Sequence, residues 1–108
     1  MRRGDLYTAV LPKTQGKPRP ALIIQDDAFQ ATPTVTVLPI TTHLVDVPAL
    51  RVRAEPTHEN GLRALSDVQI DKAQTVPRIR LGERIGALDD RTMRRVDHAL
   101  AGFLGLVR

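Results

Sequence analysis

Apolar and polar positions alternate in short segments along most of the chain, and this pattern predicts a set of β-strands. In Thr34–Thr41, Val35 and Val37 fall on one face and Thr34 and Thr36 on the other, as in a half-buried strand. Pro39 is expected to end the pairing of that strand or to place it at a sheet edge. The other predicted strands are Leu6–Leu11, Ala21–Gln25, Leu50–Ala54, Leu65–Asp71 and Ile85–Leu88.

The faces of three of these strands can be assigned from their side chains. Ala21–Gln25 begins with an uninterrupted apolar run, which is typical of a strand buried on both faces. In Leu50–Ala54 the two cationic residues, Arg51 and Arg53, are expected on the solvent face. In Leu65–Asp71, Val68 and Ile70 are predicted to face inward, and Asp67, Gln69 and Asp71 outward.

The hydrophobic period becomes helical after Asp89 and Asp90, either of which can act as the N-cap of a helix. The apolar positions that follow are Met93, Val96, Leu100, Phe103, Leu104 and Val107. Their spacing predicts one helix whose apolar stripe contacts the core or a second copy of the chain. Before it, Thr75–Pro77 is expected to be a break between strands. Several short strands followed by one helix predict a small antiparallel barrel or half-barrel with the helix packed on it.

Composition narrows the classes of function. The length of 108 residues predicts a single domain over residues 1–108. There is no cysteine, which excludes disulfides, thiolate catalysis and thiolate zinc sites. The net charge of +4 rests mainly on arginine, which favours an anionic partner such as nucleic acid, although solubilising charge is an open alternative. With no signal-peptide core and no apolar run near the ~18 residues of a membrane span, we expect a cytoplasmic protein without a membrane partner.

Arg19 stands where a loop meets a buried strand, and its backbone is restricted on both sides by Pro18 and Pro20. The preceding loop, Pro12–Pro18, contains two lysines and a glycine and is therefore cationic. A guanidinium held at the mouth of a rigid strand is suited to binding a phosphate. An arginine that merely ends a strand at the surface is the open alternative.

Four segments of the chain, taken together, carry a family resemblance. They are Arg3–Tyr7, Lys17–Ile24, Leu38–Thr42 and Glu83–Met93. In this order and at these separations they resemble the MazF/PemK/Kid family of toxins from toxin–antitoxin pairs. The resemblance covers nearly the whole chain, and each motif is weak alone but strong in combination.

The resemblance implies a fold, an activity and partners. The implied fold is mainly β, an SH3-like antiparallel barrel with a C-terminal helix, acting as a homodimer. The implied activity is a sequence-specific endoribonuclease for single-stranded RNA that needs no metal or other cofactor. It would cut messenger RNA, with ribosomal or transfer RNA as further candidates, and leave a 2′,3′-cyclic phosphate and a 5′-hydroxyl. An acidic cognate antitoxin would occupy the RNA groove and prevent growth arrest.

The resemblance also implies roles for particular residues. Arg19 matches the family's arginine before proline, and Thr41 matches its threonine after Pro-Ile, so both are implied to be catalytic. A guanidinium can donate to two phosphoryl oxygens as they gain charge, and a hydroxyl can donate to the same group. The implied RNA-binding residues are Lys13, Thr14, Gln15, Lys17 and Thr42.

The proton acceptor is the least defined role. Some relatives use a carboxylate in the first long loop, but Pro12–Pro18 contains no acid. Others have an aspartate two positions after an arginine. Asp71 matches that aspartate, while Gln69 stands where the arginine would be and Lys72 replaces the usual glutamine. Asp71 and Gln69 are therefore a candidate base and RNA contact, with a surface strand carboxylate as the alternative.

Two other functions are compatible with the same fold. One is a poison of a protein target, like the gyrase-directed CcdB toxins, which lack the pairing of Arg19 with Thr41. The other is a barrel that binds RNA or a protein without cutting it. His43 and His58 lie on predicted loops, and no neighbouring residue in the sequence makes either one a catalytic pair.

Overall fold

Seven strands and one α-helix form the computed structural model, which describes residues 1–12 and 16–107. The strands are β1 Asp5–Ala9, β2 Arg19–Ile23, β3 Thr34–Thr41, β4 Arg51–Ala54, β5 Ser66–Gln69, β6 Gln74–Pro77 and β7 Leu81–Ala87. The helix, α1, spans Asp90–Phe103, and short 3-10 turns lie at Asp27–Phe29, Ile70–Lys72 and Arg78–Arg80. In the described ranges no helix is long and apolar enough to cross a membrane.

The strands form one antiparallel sheet in the order β4-β5-β3-β2-β1-β7, with β6 as an additional neighbour of β3. The predicted class, a mainly β fold with a C-terminal helix, is confirmed. Among the described strands the sheet does not close, because β4 pairs only with β5 and β7 only with β1. The half-barrel alternative is therefore the closer description.

The third strand, β3, connects the two parts of the sheet. One edge pairs with β2 over Val37–Pro39, and the other edge pairs first with β6 and then with β5. Pro39 lies opposite Ala21 on the β2 edge and falls in the gap between β6 and β5 on the other edge. A residue without an N–H is tolerated at such a gap. The prediction that Pro39 ends the pairing or marks an edge strand is therefore wrong, and β3 continues to Thr41.

Two apolar clusters stabilise the fold, one on each face of β2 and β3. Leu22 and Leu38 belong to the cluster beneath α1, whereas Ala21, Ile23 and Val37 belong to the other cluster. This confirms that the second strand is buried on both faces. The helix contributes the fully buried Val96 to the first cluster, with Met93 and Leu100 packed partly against it. The later stripe residues Phe103, Leu104 and Val107 are at least half exposed.

The segment Thr75–Pro77, predicted as a break, belongs to a strand. In β6 the buried Val76 lies opposite Val35, and the Thr36 and Thr75 hydroxyls hydrogen bond at 2.7 Å. Its proline is the last residue of the strand, where the missing N–H does little harm. The strand β5 is shorter than predicted, because the 3-10 turn Ile70–Lys72 redirects the chain toward β6.

Candidate functional site

A polar cleft of about 470 Å³ opens where β2 begins and β3 ends. The residues that line it are Lys17, Arg19, Pro20, Pro39, Ile40, Thr41, Thr42, His43, Ser66 and Gln69. They come from the end of the loop before β2, from β2, from the second half of β3, from the loop after it and from β5. The cleft therefore lies at the junction of the two parts of the sheet.

The pairing of β2 with β3 brings the start of β2 near the end of β3. The last pair of this ladder is Ala21 with Pro39, so Arg19 and Thr41 each lie two residues beyond it, on β2 and on β3. Both side chains line the same cleft. A guanidinium and a hydroxyl thus face one space large enough for a phosphodiester.

The Thr41 hydroxyl has a defined orientation. Its Oγ1 accepts a hydrogen bond from the backbone N–H of His43 at 3.0 Å. A hydroxyl has one proton to donate, and no acceptor among the described residues takes it. The Thr41 proton is therefore available to a ligand in the cleft.

The charge of the cleft is one-sided. Lys17 and Arg19 contribute two cations, and no aspartate or glutamate occurs among the described residues that line it. Arginine cannot lose its charge under physiological conditions and presents its N–H groups in a planar fork. The cleft is thus suited to an anion with several acceptor oxygens.

The implied site residues are distributed unevenly. Lys17, Thr42 and Gln69 line the cleft with Arg19 and Thr41. Asp71 does not, because the turn after β5 carries it away, and its carboxylate lies 3.8 Å from the Lys72 ammonium. The implied RNA-binding residues Lys13, Thr14 and Gln15 lie outside the described residues.

Two polar residues line the cleft that the sequence does not indicate as site residues. His43 is on the loop immediately after Thr41 and Thr42, and Ser66 begins β5. The signal for His43 in the sequence is its short separation from Thr41. The sequence does not show whether the loop after β3 turns toward the cleft. No group of three or more His, Asp or Glu side chains in the described ranges could hold a metal ion.

A fully buried carboxylate lies behind the cleft. The strand alternation predicts that Asp67 faces solvent with Arg51 and Arg53, and this is wrong because the two arginines close over it. Arg53 Nε donates to Asp67 Oδ1 at 3.0 Å, and Arg51 Nη1 donates to Oδ2 at 3.3 Å. Burial alone would raise the pKa of Asp67. The hydrogen bonds from Arg53 and the Val45 N–H, together with both guanidinium charges, nevertheless hold that pKa below its usual range.

A larger groove of about 880 Å³ runs between α1 and residues 48–52. Its lining combines apolar side chains with arginines and one histidine, and no hydroxyl group occurs among the lining residues that the structure describes. Size alone does not identify a catalytic site, whereas convergent polar groups do. The smaller cleft, with Arg19 and Thr41, is therefore the candidate functional site.

Comparisons with known proteins identify the family of the chain. Residues 2–104 match a family model described as PemK-like, MazF-like toxin of type II toxin–antitoxin system. The chain is 54% identical over 107 residues to a probable endoribonuclease MazF of Mycolicibacterium smegmatis, covering 98% of both chains. It is 32% identical over 118 residues to endoribonuclease EndoA of Bacillus subtilis, covering 99% of this chain and 97% of the relative.

Solved structures give the same result. Mycobacterium tuberculosis toxin MazF-mt6 superposes with a TM-score of 0.83 at 30% identity, covering 96% of this chain and 99% of that one. An endoribonuclease in complex with its cognate antitoxin, from a mycobacterial species, superposes with a TM-score of 0.84 at 27% identity. That match covers 100% of this chain and 98% of the relative.

Proposed function

The chain belongs to the PemK-like, MazF-like toxins of type II toxin–antitoxin systems, and on this premise we propose that its polar cleft binds and cuts single-stranded RNA. The observation that carries the proposal is the convergence of Arg19 and Thr41 on one cleft, whose described lining residues include no aspartate or glutamate. The cleavage is metal-independent and sequence-specific. Its substrate is cytoplasmic RNA, so the protein acts in the cytoplasm and arrests growth by stopping translation.

The chemistry follows from what the two side chains can donate. The 2′-hydroxyl of the RNA loses its proton and attacks the adjacent phosphorus, and the bond to the 5′-oxygen of the next nucleotide breaks. That oxygen leaves and takes a proton from water. Negative charge grows on the non-bridging oxygens, where Arg19 donates two hydrogen bonds and Thr41 donates one. The products are a 2′,3′-cyclic phosphate and a 5′-hydroxyl. DNA lacks the attacking hydroxyl and is not cut.

His43 is our proposed proton acceptor. No carboxylate occurs among the described lining residues, whereas His43 lines the cleft beside Thr41. A neutral imidazole has one ring nitrogen with a free lone pair, which suits a group that takes the 2′-hydroxyl proton. His43→Gln keeps the backbone N–H that holds Thr41 and should lower the cleavage rate by about 100-fold or more. A rate unchanged from wild type would remove His43 from this role.

Two protein partners accompany this function. We propose that an acidic antitoxin with apolar anchors covers the cationic cleft and excludes RNA. We also propose a homodimer, because α1 and the residues after it expose a group of apolar side chains. These are Phe103, Leu104, Leu106 and Val107, each at least half exposed. A sedimentation mass of one chain at micromolar concentration would contradict the dimer.

The test is incubation of the purified protein with a long unstructured RNA in the presence of a chelator. Discrete fragments with cyclic-phosphate and 5′-hydroxyl ends are expected. RNA that is bound but intact would favour the binding-only alternative. RNA that is neither bound nor cut, together with inhibition of a purified gyrase, would favour the protein poison.

A further inference from the structure

The loop between β3 and β4, residues 42–50, carries Thr42 and His43 into the cleft. Its second half has backbone hydrogen bonds of its own, from the Leu50 and Arg51 N–H groups to the Val47 carbonyl at 2.9 Å each. The first half is fixed instead by side chains from β3, β4 and β5. The position of the cleft residues on this loop therefore depends on those side chains.

The centre of this arrangement is Asp67, whose side chain is 0% exposed. Its Oδ2 accepts from the Val45 N–H at 2.9 Å and from Arg51 Nη1 at 3.3 Å, while Oδ1 accepts from Arg53 Nε at 3.0 Å. Both carboxylate oxygens are thus occupied by donors from a strand and a loop. The loop is tied to the sheet through one buried charge.

The same arrangement extends to the reacting hydroxyl. Arg51 Nη1, which binds Asp67, also donates to the His43 carbonyl at 3.2 Å. The N–H of that residue donates to Thr41 Oγ1 at 3.0 Å. A chain of contacts therefore runs from the Asp67 carboxylate through Arg51 and the backbone of His43 to the Thr41 hydroxyl.

Strand pairing places the two ends of this chain side by side. Asp67 is the direct cross-strand partner of Thr41 on one side and of Arg53 on the other. Their neighbours Ile40, Val68 and Val52 form the next paired row and are buried in the core. The row that contains Asp67 therefore faces away from the core, toward the cleft and its loop.

We propose that Asp67 is a positioning residue for RNA cleavage, which sets the orientation of the Thr41 hydroxyl through Arg51 and the backbone of His43. This inference rests on the proposed function and assigns a role to a residue that does not line the cleft. A displacement of the hydroxyl by about 1 Å can lower a rate by roughly 100-fold without weakening binding. Asp67 should therefore act on the rate of cleavage and not on affinity for RNA.

The first variant is Asp67→Asn, which preserves shape. An amide has a single acceptor oxygen, so it cannot accept from Val45 and both arginines. The matched control is Asp5→Asn. Asp5 is also a buried aspartate that accepts from a backbone N–H, of Arg2 at 2.9 Å, and from a guanidinium, of Arg84 at 3.3 Å. It is not among the residues that line the cleft.

The readout is the single-turnover cleavage rate on one long RNA transcript, measured over a range of enzyme concentrations. Asp67→Asn should lower the saturating rate by roughly 10- to 100-fold, with the half-saturating concentration within about twofold of wild type. Exchange of the Val45 amide proton with solvent should be faster. Asp5→Asn should lower the melting temperature but leave the rate unchanged. Where Asp67→Asn does not fold, Arg51→Met carries the test, because it keeps the Asp67–Arg53 pair and removes the donor to His43.

The decisive comparison repeats Asp67→Asn in a Thr41→Ala background. If Asp67 acts through the Thr41 hydroxyl, the second substitution should cost less than about twofold there. Three results would overturn the inference and leave the proposed function intact. They are a full additional loss of rate in that background, an unchanged saturating rate in both Asp67→Asn and Arg51→Met, and an effect on RNA affinity alone. A wild-type protein that does not cut RNA would overturn both.

Discussion

Replacing the Thr41 hydroxyl by a methyl group isolates its contribution to catalysis. Thr41→Val keeps the size, the β-branching and the strand preference of the residue. It removes one donor to the developing negative charge, and the loss of one such donor costs about 100- to 1,000-fold in rate. It also removes the acceptor of the His43 N–H, a hydrogen bond of 3.0 Å. That second loss should cost about 1 kcal/mol of stability.

The matched control lies in the same strand. Thr36 also has a hydroxyl in a short hydrogen bond, to Thr75 at 2.7 Å, but it is not among the residues that line the cleft. Thr36→Val should lower the free energy of unfolding by a similar ~1 kcal/mol, or roughly 4 °C in melting temperature. Its cleavage rate should equal that of wild type. The two variants should therefore match in a thermal melt and differ in an RNA cleavage assay.

The result that would refute this reasoning is a Thr41→Val protein that cuts RNA within about threefold of wild type, since a catalytic donor is worth far more. Thr41→Ser provides the complementary observation. It restores the hydroxyl and should retain most of the activity. An inactive serine variant with a normal melt would show that the β-methyl group, and not the hydroxyl, is the essential feature.

Three further outcomes follow from the structure. The pKa values of Asp67 and Asp89 are lowered in the folded protein, that of Asp89 by hydrogen bonds from Thr92. Their contribution to the free energy of unfolding is therefore complete above pH ~5 and is lost as the pH falls below ~4. A free energy of unfolding in urea that does not change with acid would contradict this. Gly61→Ala should cost about 3 kcal/mol or more, because φ is +68° and a Cβ there would collide with a carbonyl of β7. By contrast, a Cβ at Gly102 would meet open space, so Gly102→Ala should stabilise α1. If chemical denaturation showed Gly61→Ala to be more stable than Gly102→Ala, the packing argument would be refuted. Asp71→Asn should cut RNA at the wild-type rate, because Asp71 does not line the cleft; a large loss in the cleavage assay would restore it as a base.

Local pattern predicted much of the fold. The bounds of β3 match the prediction, β2 is buried on both faces, and Asp89 is the N-cap of α1, with its carboxylate accepting from the Thr92 N–H. These features depend on residues close together in sequence. The sequence does not predict β6, because its terminal proline is typical of a break between strands. Only the pairing of this segment with β3 makes it a strand.

The site was less accessible from the sequence, because it depends on pairings between distant segments. The presence of Arg19 and Thr41 in one cleft follows from the pairing of β2 with β3, which alternation within one strand does not reveal. The alternation of apolar and polar residues predicts that Asp67 faces solvent. Alternation shows that Asp67 lies on the face of its strand opposite the core, but not which side chains cover that face. Here Arg51 and Arg53 on the neighbouring strand cover it.

The most direct test of the central claim is the single-turnover cleavage rate of one mapped RNA by wild type, Arg19→Lys and Arg19→Ala. Arg19 is exposed at the start of β2, so all three proteins should melt at nearly the same temperature. Lysine keeps the charge but not the planar fork, and it should retain only partial activity. Alanine should lose about 1,000-fold or more. An Arg19→Ala protein that cuts the same bond at the wild-type rate would contradict the account.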